Sequence, residues 1–149
     1  MESDFGWLSI RSMLLPYTAH ELPSNEVFSE GLVAQRPIIL ISLNNGGQST
    51  EPFEAMIDTG SDFCVFPSLL LDDLGLSWNE LRSAPAMTHA GDVEFRYTEI
   101  GASVRGLRDW NLIAGFSIRP CIPALGMIGF LDQFKVTFDR KNGYFSIDP

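Results

Sequence analysis

Short apolar runs separated by glycine and polar clusters occupy the middle of the chain. The run from Arg36 to Leu43 is rich in Ile and Leu, and residues 44–47, Asn-Asn-Gly-Gly, tolerate the positive φ angles of a tight turn. Two further β-rich runs, Phe53 to Ile57 and Phe63 to Phe66, flank the polar residues 58–61. Runs of this length, bounded by turn residues, are typical of strands. The pattern predicts a strand and a turn, then two short strands joined by a tight loop.

The spacing of apolar residues turns helical for a short stretch after these strands. Pro67 suits the first turn of a helix, Leu69 to Leu74 has helical apolar spacing, and Gly75 is a left-handed stop signal. Ser77 to Glu80 has the spacing of a capping box. We expect one short helix here and a second helical turn that ends before Pro85.

The second half of the chain returns to a β pattern. Between Met87 and Ile118, β-forming residues recur with glycines at 91, 101, 106 and 115, which predicts hairpins. Phe134 to Phe138 alternates with polar residues, Asn142-Gly143 is a strong two-residue hairpin signal, and Tyr144 to Ile147 is β-rich again. A C-terminal hairpin is therefore predicted.

The first 35 residues show no sustained period of 2 or 3.6. We interpret them as a lead-in of uncertain order, preceding one domain at residues 36–149. A removable pro-segment, a strand in a dimer interface and a cover over a cleft all fit such a segment. The domain itself is predicted to be all-β with one or two short helices.

Composition and charge restrict the possible partners. The 149 residues fit one domain, and 45% hydrophobic with 19% charged residues is a globular composition. The net charge of −9 has the wrong sign for neutralising phosphates, so we expect no nucleic-acid partner. No apolar run approaches the roughly 18 residues of a membrane span, so no membrane partner is expected either.

The N-terminal residues and the cysteines predict a cytoplasmic protein. The chain opens Met-Glu-Ser-Asp, acidic where a signal peptide is basic. Cys64 and Cys121 are too few for a disulfide framework, and neither lies in a metal-spacing motif. Both are expected to pack rather than to react, as are Trp78 and Trp110.

Residues 58–61, Asp-Thr-Gly-Ser, are the candidate for chemistry. A carboxylate at the tip of a tight loop between buried strands is pre-positioned and partly desolvated, the glycine allows close backbone approach, and the hydroxyls can fix the carboxylate. These are the needs of a catalytic acid. The alternative is a turn in which Asp58 merely accepts amides of its own loop, a common use of Asp before Gly.

Two segments together carry a family resemblance. Phe-Glu-Ala-Met-Ile-Asp-Thr-Gly-Ser at 53–61, with Ala-Leu-Gly at 124–126 and a Phe-Leu-Asp-Gln-Phe helical turn at 130–134, resembles the retropepsin-like aspartic proteases. The bacterial, non-viral branch is the nearest fit, and the resemblance covers about residues 36–148. It implies a retropepsin-like closed β-barrel half-subunit that is completed as a homodimer, because each chain carries one Asp-Thr-Gly.

The resemblance implies an aspartic-type endopeptidase acting on a peptide or protein substrate. Asp58 from two subunits would share one proton and activate a water, with no metal and no cofactor. The alternative is a catalytically silent peptide-binding or dimerisation module of the same fold. A phosphate-binding loop is less favoured, since no Lys follows and Asp62 would repel the ligand.

The family also assigns roles to individual positions. Asp58, Thr59 and Gly60 match the catalytic loop; Ser61, Asp62, Leu125 and Gly126 match substrate-binding or supporting positions. Asp62 matches a position that, in viral members, binds the substrate backbone and pairs with an Arg just after the later Gly; this chain has Met127 in place of that Arg. Asp62 therefore has either a substrate role or the role of a solvated loop charge.

Residues 88–92, Thr-His-Ala-Gly-Asp, are the candidate tip of the flap, the hairpin with which the family covers its cleft. His89, Ala90 and Gly91 would then lie against the substrate. A plain surface turn is the alternative reading of one glycine between β-rich segments. A lone His in such a loop is usually solvated, and we assign His89 no catalytic role.

Overall fold

The computed structural model describes residues 11–88 and 91–149. Within these residues the chain is mostly β-structure, with two short 3₁₀ helices at Ser68–Leu71 and Trp78–Glu80. The strands are β1 Met13–Pro16, β2 Thr18–Leu22, β3 Leu32–Arg36, β4 Ile38–Asn45, β5 Gln48–Ser49, β6 Phe53–Ile57, β7 Cys64–Pro67, β8 Arg82–Thr88, β9 Gly91–Ser103, β10 Trp110–Ser117, β11 Ala124–Leu125, β12 Lys135–Asp139 and β13 Tyr144–Asp148. No helix in the described ranges is long and apolar enough to cross a membrane.

An eight-stranded sheet forms most of the molecule. Its strand order is β5-β4-β6-β11-β7-β10-β9-β8, and β4 also pairs with β9. Ser42 lies opposite Ser103 in that additional pairing, which brings together strands that are distant in the strand order. The sheet therefore curls around one hydrophobic core, in which Phe66, Phe116 and Phe130 are fully buried.

The C-terminal hairpin predicted from the sequence is confirmed. β12 and β13 pair from Lys135↔Asp148 to Asp139↔Tyr144, so the connection has four residues rather than two. Only Gly143 of the connection has a positive φ, of 82°. Asn142 does not have the positive φ that a two-residue turn of this kind requires, and its amide donates to Asp139 Oδ1 at 3.0 Å.

The lead-in contains strands that the sequence pattern did not predict. β1 adds to the C-terminal hairpin as the outer strand beside β13, with Met13 opposite Ile147. Met13 and Leu15 are half-buried, whereas Leu14 and Pro16 are exposed, so β1 does alternate, but over four residues only. β2 and β3 form a separate two-stranded sheet. The division of the chain at residue 36 stays a prediction.

The predicted helices are shorter and tighter than expected. The first is one 3₁₀ turn, and Gly75 beyond it has the expected left-handed φ, of 63°. The capping box does not form: the Ser77 side chain makes no capping hydrogen bond, and its carbonyl accepts the Glu80 amide at 3.0 Å. The second helix ends at Glu80, and Pro85 lies within β8. Because β8 is the edge strand of the sheet, proline is tolerated there.

Candidate active site

The Asp58 loop connects β6 to β7 and is held by backbone hydrogen bonds. The Asp58 amide donates to the Leu125 carbonyl at 3.0 Å. Within the loop, the Gly60 amide donates to Asp58 Oδ1 at 2.9 Å, and the Ser61 amide donates to the Asp58 carbonyl at 3.2 Å. The carboxylate thus accepts a hydrogen bond from an amide of its own loop, as expected if Asp58 merely stabilises a turn. No described residue donates to Oδ2 at hydrogen-bond distance, which leaves that oxygen for another partner.

β11 lies between β6 and β7, directly behind this loop. Leu125 pairs with Ile57 in parallel, while Ala124 pairs with Val65 in the antiparallel sense. Leu125 is fully buried. Its carbonyl, which accepts the Asp58 amide, is therefore the part of the residue that positions the loop.

Gly126 continues this support because only a glycine fits at its position. A Cβ there would lie 2.4 Å from the Phe63 carbonyl oxygen and 2.5 Å from that of Ser61. The next two amides donate into the loop: Met127 to the Ser61 carbonyl at 2.8 Å and Ile128 to the Asp62 carbonyl at 2.9 Å. Residues 125–128 therefore support the loop from beneath.

The Asp58 loop forms one wall of a cleft of about 580 Å³. The loop contributes Asp58, Gly60, Ser61, Asp62 and Phe63, and Val65 follows from β7. The opposite wall comes from the β8–β9 hairpin, through residues 85–88, Phe95 and Tyr97. The structure therefore brings the candidate catalytic loop and the candidate flap hairpin to one cleft, although they are far apart in the sequence.

The tip of that hairpin lies partly outside the described residues. Thr88 pairs with Gly91, whose φ is 96°, and the Thr88 hydroxyl donates to the Gly91 carbonyl at 2.8 Å. His89 and Ala90 connect these two residues and lie outside the described ranges. Their predicted contact with substrate stays a prediction.

The other predicted site residues differ in their surroundings. Thr59 is exposed and does not line the cleft. The Ser61 hydroxyl donates to the Phe63 carbonyl at 2.7 Å, so in the single chain it bonds the loop backbone rather than the carboxylate. Asp62 is exposed at the cleft, and Met127, which takes the place of the family's Arg, is 47% exposed.

Sequence reasoning missed the aromatic lining of the cleft. Tyr97 packs edge-on against Phe63, with ring centroids 5.7 Å apart, and lies 6.3 Å from Phe95. Burial raises the pKa of Tyr97, so its hydroxyl is neutral at neutral pH. Residues 95 and 97 share a face of one strand, and this alternation was the available signal. The proximity of Phe63 depends on tertiary packing.

Cys64 lies in the core under the loop, as predicted. It is fully buried, and its Sγ lies 3.6 Å from the Ile128 carbonyl oxygen. Burial raises the pKa of this thiol to about 11, so it is protonated at neutral pH. Cys121 is half-buried, and burial raises its pKa as well. Across residues 11–88 and 91–149, no three His, Cys, Asp or Glu side chains are grouped to hold a metal ion.

No protein-family model and no curated protein sequence matches the chain. A match does come from the solved structure of EIAV protease complexed with the inhibitor HBY-793. It is 21% identical, covers 62% of this chain and 82% of that chain, and superposes with a TM-score of 0.50. At this identity the likeness concerns the fold. The chain therefore has a mostly β, retropepsin-like fold, similar to that of a retroviral protease.

Proposed function

We propose that this protein is an aspartic-type endopeptidase that works as a homodimer. The observation that carries the proposal is the position of Asp58: its carboxylate lies in the wall of a cleft, on a loop fixed from behind by Leu125 and Gly126. The similarity in fold to a retroviral protease supports it. The substrate is a peptide or protein segment held in the cleft. Membership of the bacterial, non-viral branch is part of the same proposal.

The proposed mechanism needs two copies of Asp58. A twofold axis through the loops brings the two carboxylates together, and like charges at contact distance favour one shared proton. The ionised Asp58 takes a proton from a bound water, which attacks the peptide carbonyl, while the protonated Asp58 donates to the carbonyl oxygen. In the single chain, Oδ2 of Asp58 is the oxygen without a donor among the described residues, and it is the one we assign to the dyad.

The remaining loop residues have supporting roles in this proposal. Thr59 bonds across the dyad to its counterpart in the partner, which fits its exposure in the single chain. Gly60 and Asp62 present polar groups to the substrate backbone from one wall of the cleft. The β8–β9 hairpin, with Gly91 near its tip, covers the bound peptide and excludes water.

The test compares the wild type with Asp58→Asn on a mixed peptide library, with cleavage followed by mass spectrometry between pH 3 and 8. Asp73→Asn is the matched control, since Asp73 is exposed and lies outside the cleft. We expect the wild type and the control to cleave, and Asp58→Asn to be silent while still dimeric in sedimentation.

Two results would contradict the proposal. Cleavage by Asp58→Asn at the wild-type rate would place the chemistry elsewhere. If the wild type, Asp58→Asn and Asp73→Asn are all folded dimers that bind peptides but cleave none of them at any pH, a silent peptide-binding module of the same fold is favoured.

A further inference from the structure

A second cavity, of about 400 Å³, lies beside the cleft at the base of the β8–β9 hairpin. Its walls include Glu80, Arg82, Tyr97, Glu99 and Ile113. Tyr97 lines this cavity and also the cleft that contains Asp58. The two spaces are therefore neighbours that share one aromatic wall.

The strand register puts both spaces on one face of the large sheet. Arg82 lies opposite Tyr97, and Tyr97 lies opposite Gly115 in β10. Gly115 in turn lies opposite Val65, which lines the cleft with Asp58. Because directly opposed residues point to the same face, this row runs from the second cavity into the cleft. Gly115 leaves room for the tyrosine ring: a Cβ there would lie 3.0 Å from Tyr97 Cε1.

The next row on this face also lines the second cavity. Glu99 lies two residues beyond Tyr97 in β9 and opposite Ile113 in β10. Ile113 is 51% exposed although it belongs to a central strand. An extended peptide in the cleft thus has a continuous sheet surface along which its end can reach this cavity.

The charges of the second cavity favour a cation. Glu80 and Glu99 contribute two carboxylates against the one guanidinium of Arg82, in a chain whose net charge is −9. Among the described residues, the one ion pair joins Arg96 to Glu94, so neither cavity carboxylate is neutralised by an ion pair. The rings and methyl groups of Tyr97 and Ile113 offer apolar surface for the methylene stem of a long basic side chain.

We propose that this cavity is a second subsite of the peptide cleft, which takes a lysine or arginine side chain of the substrate at a position remote from the scissile bond. The inference rests on the proposed function for its reaction, but the binding it describes is measurable without turnover. The stem of the basic side chain lies along Tyr97 and Ile113, and its head pairs with Glu99 and Glu80. The positive charge of Arg82 repels the basic side chain and so limits the preference of the cavity for lysine or arginine.

The test is the sequence profile of peptides cleaved from a mixed library at low salt. The variant is the double substitution Glu80→Gln/Glu99→Gln, and the matched control is Glu26→Gln/Glu30→Gln, which removes the same charge from exposed residues outside both cavities. We expect Lys and Arg to be enriched at one fixed position by roughly two- to fivefold, the range for a partly exposed charge pair. The control retains this enrichment, the variant loses it, and Arg82→Gln increases it.

A second measurement keeps the subsite testable apart from catalysis. Peptides of the same library retained by Asp58→Asn are sequenced, with and without the two Glu→Gln substitutions, at low and high salt. Retention of basic peptides that depends on the two glutamates and weakens with salt supports the subsite even if no protein cleaves. Cleavage without a basic preference, or a preference that survives in the variant, overturns the subsite and leaves the proposed protease intact. If the protein neither cleaves nor retains any peptide, both the subsite and the proposed protease are overturned.

Discussion

Gly126 lies so close to the Phe63 carbonyl that a Cβ at this position would be 2.4 Å from the oxygen. Real Cβ atoms essentially never come within 3.0 Å of another heavy atom, so a side chain at position 126 would force a shift, and the neighbouring atoms at Phe63 and Ser61 are backbone. Gly126 does not have a positive φ, so its requirement for glycine is one of space rather than of conformation. The absence of a side chain at Gly126 lets the backbone after β11 lie directly against the loop that carries Asp58.

Gly126→Ala should therefore displace the Asp58 loop and lower the free energy of unfolding. We expect a loss of about 1–3 kcal/mol, as for other overpacked sites, measured by urea denaturation. Gly47→Ala is the control, because a Cβ there has nothing within 4 Å and Gly47 has no positive φ. Its stability should change by less than about 1 kcal/mol. Equal stability of the two variants would show that the loop does not depend on this contact.

Trp110 stabilises the segment that follows Gly126 in the chain. Its indole N–H donates to the Gly129 carbonyl at 2.7 Å, and its ring packs edge-on against Phe134, with centroids 5.0 Å apart. Trp110→Phe leaves a buried carbonyl without a donor and removes buried volume, so we expect a loss of about 2–4 kcal/mol in urea denaturation. Trp78→Phe should cost about 1 kcal/mol or less, because Trp78 is half-buried on the surface. Similar losses would contradict this account.

The sequence predicted those elements whose signal is local. β6 begins and ends where its apolar run does, and the C-terminal hairpin follows from alternation plus an Asn-Gly pair. Ser77 to Glu80 failed as a capping box because no helix long enough to need a cap follows it. From Arg82 the chain pairs with β9 instead of continuing the helical turn, and an edge strand accommodates Pro85.

The candidate site was predictable only in part, for the same reason. Asp58 was identified from its loop and flanking strands, and Leu125 and Gly126 from a resemblance. The shared wall formed by Tyr97 depends on register across three strands, and its contact with Phe63 on how the loop folds back. No spacing along the chain encodes these neighbours. β1 was missed because four alternating residues are too few to stand out from a non-periodic segment.

The buried thiol of Cys64 makes stability depend on alkaline pH. The pKa of this thiol is about 11 in the folded chain against 9.0 when it is exposed, so the unfolded chain ionises first as the pH rises. The stabilising effect is complete below pH 9 and is lost as the pH passes through 9 to 11. From pH 7.5 to 10.5, Cys64 should lower the free energy of unfolding by about 2 kcal/mol.

The measurement is urea denaturation under reducing conditions at both pH values, for the wild type and Cys64→Ala. Other groups also titrate in this range, so the difference between the two proteins is the quantity of interest. Cys64→Ala should be less stable at pH 7.5, yet should lose about 2 kcal/mol less on going to pH 10.5. Cys121→Ala is the control and should follow the wild type more closely, since Cys121 is half-buried. Parallel pH profiles for the wild type and Cys64→Ala would contradict burial as the cause.

If two Asp58 residues form one active site, a variant subunit that lacks Asp58 should inactivate the wild-type subunit with which it pairs. Mixing the wild type with a ninefold excess of Asp58→Asn, followed by exchange of subunits, leaves only about one tenth of the wild-type chains paired with each other, so the rate of peptide cleavage should fall to about one tenth. The same excess of Asp73→Asn, which leaves Asp58 intact and lies outside the cleft, should raise the rate instead. A rate that Asp58→Asn leaves unchanged, with subunit exchange verified by mass spectrometry of labelled chains, would mean that each chain cleaves alone, and the shared-proton mechanism would fail with it.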